Sequence, residues 1–137
     1  MRSVKSHQLV YEQNQNIHSV LGANPPHAMA FAVTDESFDP RTIPKSYINL
    51  RDVRKVPFSA LCLKPETVAD MFSEKTPILI CEDNQILASG NSLLNAFDRL
   101  EVTEATAHSI LAARDLGDLV YISDSEIAEI NKAFDLD

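Results

Sequence analysis

The sequence predicts an α/β fold, a mixed or antiparallel central sheet covered by helices. Three observations predict it. Two short apolar runs, Pro77-Ile78-Leu79-Ile80-Cys81 and Ile86-Leu87-Ala88, flank the polar break Glu82-Asp83-Asn84-Gln85, which is the pattern of a β-hairpin. A long helical pattern opens after Asn91-Ser92 and ends at Gly117, so it packs back onto that hairpin. Elsewhere short strands are interspersed with helical stretches, as when helices cover a sheet. The hairpin makes at least part of that sheet antiparallel.

Taken in order, Ser3 to Gln13 reads as a helix with Val4, Leu9, Val10 and Tyr11 on its apolar side, closed by Asn14-Gln15-Asn16. Ile17 to Leu21 is a short strand. Pro25 and Pro26 suit the entry to a helix, because the first amide hydrogens of a helix have no partner within it. That helix, His27 to about Val33, is almost wholly apolar and is expected to be buried on most sides. Asp35 to Pro44 is an acidic loop with Pro40 and Pro44 as breakers. Lys45 to Leu50 suits either a short helix or an extended piece. Val53 to Phe58 reads as a strand whose Pro57 places it at an edge. Ser59 to Leu63 is irregular, and a helix from Pro65 to Phe72 turns Val68, Met71 and Phe72 inward. The long helix offers Leu93, Phe97, Leu100, Ala107, Ile110 and Leu111 as its inward stripe. At about 25 residues and ~1.5 Å per residue it crosses one whole face, roughly 38 Å. Leu119 to Ile122 is a short extended piece. Ser123 with Glu126 forms a capping box that starts a last helix presenting Ile127, Ile130 and Phe134.

A chain of 137 residues suits one domain, and 45% apolar with 23% charged residues is ordinary for a globular protein. The net charge of −8 argues against a nucleic-acid binder, which needs Lys and Arg to neutralise phosphates. The small basic cluster Arg51, Arg54 and Lys55 reads as a solvated turn. No apolar run is long enough to span a bilayer, and the N-terminus has no apolar core after its charges, so no membrane or secretion role is expected. Cys62 and Cys81 lie far apart among apolar neighbours, as buried free thiols in a reducing cytoplasm would. Three isolated glycines leave no Gly-rich phosphate loop.

The wording Gly90-Asn91-Ser92-Leu93-Leu94-Asn95-Ala96-Phe97-Asp98-Arg99-Leu100-Glu101-Val102 resembles the class II aldolase/adducin family, in which a strand pair carrying a His-Gly leads into a similar helix. Ser3-Val4-Lys5-Ser6-His7 followed by Ile17-His18-Ser19-Val20-Leu21 resembles that family's Glu-bearing helix and metal-binding strand. Pro26-His27-Ala28-Met29-Ala30, Val56-Pro57-Phe58 and Gly117 through Ile130 resemble segments that follow. The resemblance covers nearly all of residues 1–137. It makes them a single domain that lacks the family's N-terminal portion, with its opening helix and phosphate-binding strands.

The resemblance implies a zinc ion held by three histidines, which polarises a carbonyl, and a glutamate as acid and base. In this sequence the two histidine places after the strand hold Gly22 and Asn24, the third holds Asn84, and the glutamate place holds Ser3. Amides are poor zinc donors beside imidazole, so no metal cofactor is expected. His27, at a helix start near Asn24, is the residue best placed to substitute; His7, His18 and His108 read as structural or surface residues. Tyr47 falls in the loop from which, in the family, a neighbouring subunit's tyrosine completes the site, and a packing role suits it better. Asn24, His27, Tyr47 and Asn84 are therefore the candidate binding residues, with no catalytic residue assigned. The expected function is a metal-free domain that binds or serves as a subunit, for which adducin heads are the family precedent. The alternative is a carbon–carbon lyase or epimerase on a small sugar phosphate, with the site completed by another chain or by a missing segment. Sheet edges and apolar faces left uncovered predict a homo-oligomer or a larger assembly.

Overall fold

The computed structural model describes residues 4–136. Its elements run α1 (Val4–Gln13), β1 (Ser19–Ala23), α2 (Pro26–Ala32), α3 (Pro44–Leu50), β2 (Val53–Val56), α4 (Ala60–Leu63), α5 (Pro65–Met71), β3 (Ile78–Cys81), β4 (Gln85–Gly90), α6 (Leu93–Arg114) and α7 (Asp124–Phe134). The four strands form one mixed sheet in the order β1-β4-β3-β2. β4 is antiparallel to both β1 and β3, and β2 is parallel to β3. A parallel β2 needs a crossover, which α4 and α5 supply. The mixed sheet and its helices are as the sequence predicts.

Period-two alternation divides the core into two layers. From β3, Leu79 and Cys81 join Val10, Val20, Val68, Phe72 and Leu87 under α1, α4 and α5. Ile78 and Ile80 join Ala28, Phe31, Leu50, Ile86, Ala107 and Ile110 under α2, α3 and α6. All four residues of β3 are buried, which is why its run is continuously apolar. Burial pushes the Cys81 thiol up to about 12, so it acts as a small apolar side chain.

Several details differ from the sequence expectation, each for a packing reason. α1 docks through Ser6 and Val10, with Ser6 Oγ donating to the Leu61 carbonyl at 3.0 Å; Val4 and Tyr11 are exposed. Tyr11 instead accepts the Val20 N–H at 3.1 Å and so caps the open edge of β1. β1 lies two residues later than Ile17–Leu21 because its ladder with β4 continues through Gly22 and Ala23. α2 stops at Ala32, leaving Val33 exposed. Residues 44–50 are helical, begun by Pro44 at the first turn. β2 ends at Val56, because Pro57 has no N–H for the ladder. Ser59–Leu63, expected to be irregular, contains the helical turn α4; it buries Ala60 and Leu61 and turns Cys62 to solvent, so Cys62 is not a buried thiol. α6 has 22 residues rather than about 25, and Leu93 and Phe97 are exposed rather than inward. Its buried stripe is Ala96, Thr103, Thr106, Ala107 and Ile110. The phase is set where α6 meets β4: a Cβ on Gly90 would lie 2.5 Å from the Ala96 backbone nitrogen. Two small residues let the backbones touch, and that contact rotates Leu93 and Phe97 outward. Residues 119–122 form no strand; they run as a loop in which the Ile122 N–H donates to the Arg41 carbonyl at 2.9 Å.

The Ser123–Glu126 capping box forms as expected: Ser123 accepts from the Glu126 N–H and Glu126 accepts from the Ser123 N–H. Among the described residues no helix is long and apolar enough to cross a membrane.

Candidate functional site

Three strand ends bring the candidate residues together. Gly22 and Asn24 lie two apart at the end of β1, so they project to the same side. Gly22 pairs with Leu87 and Ala23 with Ile86, which sets them beside the β3–β4 turn. That turn, Glu82-Asp83-Asn84, is tight because Asp83 adopts φ 53°, a left-handed conformation that Asp tolerates. Its tip is anchored on both sides: the Asp83 N–H donates to the Ala32 carbonyl and the Glu82 N–H to the Val56 carbonyl, each at 2.9 Å. Asn24 Nδ2 then donates to the Asn84 carbonyl at 2.6 Å. Gly22, Asn24 and Asn84 thus converge on one spot. Ser3 lies outside the described residues.

Gln85, the neighbour of Asn84 in this turn, is not among the candidate residues read from the sequence, and the structure places it at this spot. A Cβ built on Gly22 would lie 2.5 Å from Gln85 Oε1 and 3.1 Å from its Cδ, so the Gln85 carboxamide occupies the space beside the glycine. Asn84 and Gln85 also line a cleft of about 420 Å³ with Phe58, Leu61, Cys62 and Leu63. Phe58 and Leu63 are exposed there, and among the described residues neither the Asn84 nor the Gln85 side chain has a hydrogen-bond partner. The cleft therefore offers neutral amides, each able to donate and accept, beside apolar surface.

His27 is held by a partner outside this spot. Its Nδ1 lies 2.6 Å from Glu104 Oε1, and its backbone N–H donates to the same oxygen at 3.0 Å. The Ala28 N–H donates to Glu104 Oε2 at 2.9 Å. Glu104 is thus a cap for α2 supplied from α6, seventy-seven positions away in sequence. Burial pushes its carboxyl up, but the Ala28 and His27 donors outweigh that and hold it below the usual range. The His27 ring also stacks on His108, with centroids 4.0 Å apart. No local pattern announces a cap that comes from another helix.

Tyr47 is buried in the opposite layer, away from the convergence. Its hydroxyl donates to Asn131 Oδ1 at 2.7 Å, and the Arg51 guanidinium lies 5.9 Å from its ring centre. That is a packing role, pinning α7 to α3. His18 holds the Gln15 carbonyl at 2.8 Å, and burial lowers the pKa of His7. Arg51 also donates to the Leu136 carbonyl, Arg54 pairs with Asp52, and Lys55 donates to the Thr34 carbonyl, so the basic cluster ties down neighbouring segments. A concavity of about 570 Å³ lies between α3 and α6 and contains none of the candidate residues. Its floor is closed by the Ser46–Thr106 hydroxyl pair at 2.8 Å, and it reads as an imperfect helix–helix seam.

The fold recurs in solved structures. YgbL from Klebsiella pneumoniae, described as a putative aldolase/epimerase/decarboxylase, matches with a TM-score of 0.78 and 20% identity over 94% of this chain. An aldolase II superfamily protein from Pseudomonas syringae matches with a TM-score of 0.73 and 17% identity over 96% of it. This chain has the class II aldolase fold. An L-fuculose 1-phosphate aldolase shares that fold with a TM-score of 0.77 and 20% identity over 98% of this chain. The chain spans 64%, 54% and 63% of the lengths of these three class II aldolase-fold chains. No family model and no curated protein matches it by sequence.

Proposed function

We propose that this chain is a metal-free domain of the class II aldolase fold that acts by binding, as a subunit of a homo-oligomer or larger assembly. One observation carries the reading: where β1 meets the β3–β4 turn, the converging groups are a glycine and amides, with Gln85 filling the space beside Gly22. Zinc in proteins takes imidazole, thiolate or carboxylate donors. Gly22 offers no donor, and Asn24 already donates to the Asn84 carbonyl. These residues do not fit a zinc ion. The test is metal content per chain on untagged protein purified without chelator, repeated after zinc and manganese addition. Near-zero metal in both is expected, and one tightly held ion per chain overturns the reading.

A second reading is favoured by the unpartnered Asn84 and Gln85 amides that open on the 420 Å³ cleft, and by the names of the structural neighbours. It is a carbon–carbon lyase or epimerase acting on a small sugar phosphate in a site completed by another chain, with Asn24 and Asn84 as hydrogen-bond donors. Retro-aldol assays with sugar phosphates test it. Turnover that survives Asn24→Ala and Asn84→Ala undiminished argues against these residues forming the site.

A further inference from the structure

A second concavity, on the far side of β4 from the hairpin turn, is built differently. It encloses about 250 Å³ where β4 hands over to α6, beside the segment that precedes β1. Arg99, Glu74, Asn16, Asn91 and Asn95 line it. Arg99 is half-buried, and one of its five N–H groups, on Nη1, donates to the Ser89 carbonyl at 2.8 Å. Among the described residues its other donors have no partner. A guanidinium kept only to cap the end of β4 would not need a polar cavity around the rest of its fork.

The same cavity also carries the opposite charge. Glu74 accepts from Asn16 Nδ2 at 2.7 Å, which holds the carboxylate in place with one oxygen still available. Among the described residues no ion pair joins Arg99 to Glu74, although the carboxylate acts on the guanidinium electrostatically. Burial pulls the Arg99 pKa down and Glu74 partly restores it, so the guanidinium charge is only partly compensated. Asn95 uses its Oδ1 to accept the Asn91 N–H at 3.1 Å, which leaves its amide donors for the cavity.

From this juxtaposition of an incompletely paired guanidinium and a carboxylate across a small polar cavity, we infer that the protein binds a small zwitterion of the α-amino-acid class. The ligand carboxylate meets the free side of the Arg99 fork and the Asn95 amide, and the ligand ammonium meets Glu74. Guanidinium–carboxylate recognition is bidentate and directional, which a single anion at this place would satisfy on one wall only. The volume limits the ligand to a small side chain. The site lies apart from Gly22, Asn24 and Asn84, and it does not depend on the reading of that spot.

The test is a titration of the isotope-labelled full chain, followed by NMR, with glycine as the probe and with acetate and methylammonium as separate half-ligands. Glycine is expected to shift the amides of residues 73–74, 89–91, 95 and 99, with a dissociation constant on the order of millimolar for so small a ligand. Each half-ligand should bind roughly tenfold more weakly, the size of one lost charge-assisted contact. Glu74→Gln, at an exposed position, should cost glycine roughly tenfold and leave acetate unchanged, whereas Arg99→Lys should weaken both. Acetate binding as tightly as glycine overturns the inference, as do shifts that persist unchanged in both variants. An absence of shifts localised to these residues overturns it too.

Discussion

A carboxylate on α6 closes the start of α2: Glu104 takes the N–H groups of His27 and Ala28 and holds the His27 ring. A short helix that begins Pro25-Pro26 has no local side-chain cap, so the cap comes from across the layer. Replacing Glu104 by Ala is expected to cost about 1–2 kcal/mol, measured by urea unfolding. The pH dependence has a definite sign. Burial raises the Glu104 pKa, the donors lower it, and the net folded value lies below the ordinary 4.5. Its stabilisation is therefore complete above the unfolded value and is lost as pH falls through the lower folded one. Acid unfolding of Glu104→Gln should show less pH dependence in that window. An unchanged acid limb would mean that the cap contributes nothing.

At the scale of elements, the meeting of β4 with α6 and the closure over Gly22 differ in kind. A Cβ on Gly90 meets backbone, the Ala96 nitrogen at 2.5 Å, and the helix cannot yield without losing its place on the sheet. Gly90→Ala should therefore destabilise by about 1–3 kcal/mol. A Cβ on Gly22 meets the end of a flexible side chain, Gln85, which can swing into the cleft. Gly22→Ala should cost less than about 1 kcal/mol and should change the amide shifts of Gln85. Equal costs for the two substitutions would contradict this account. α7 differs again, since none of its residues is fully buried and it is held by Tyr47 on Asn131 and Arg51 on Leu136. Removing residues 124–137 should cost no more than about 1–2 kcal/mol in thermal unfolding, because few buried contacts are lost. A chain that fails to fold without them would show that α7 is part of the core.

At the scale of the molecule, apolar surface remains on the outside. Leu93, Leu94 and Phe97 lie exposed along the start of α6, and Phe58 and Leu63 beside the cleft. Exposed apolar surface of this kind favours association. Self-association is the expected outcome in sedimentation at micromolar concentration, as a dimer or a tetramer. A clean monomer would remove the assembly from the proposed function and leave the binding reading to stand on the cleft alone.

Local chemistry was enough to reveal the hairpin, the capping box at Ser123, the proline-started helices and the edge position of β2. Each follows from neighbours in sequence: a polar break, a serine three residues before a glutamate, a ring without an N–H. The family wording at Gly90–Val102 was legible too, because it is a run of residues at fixed places. The phase of α6 was not, since Ala96 beats Leu93 and Phe97 only through its contact with Gly90 on another element. Nor were the loss of His27 to Glu104, the Gln85 carboxamide beside Gly22, or Arg99 facing Glu74. Those depend on which side chains distant segments bring within hydrogen-bond reach. Periodicity reports how a segment can pack, and only the tertiary structure decides what it packs against.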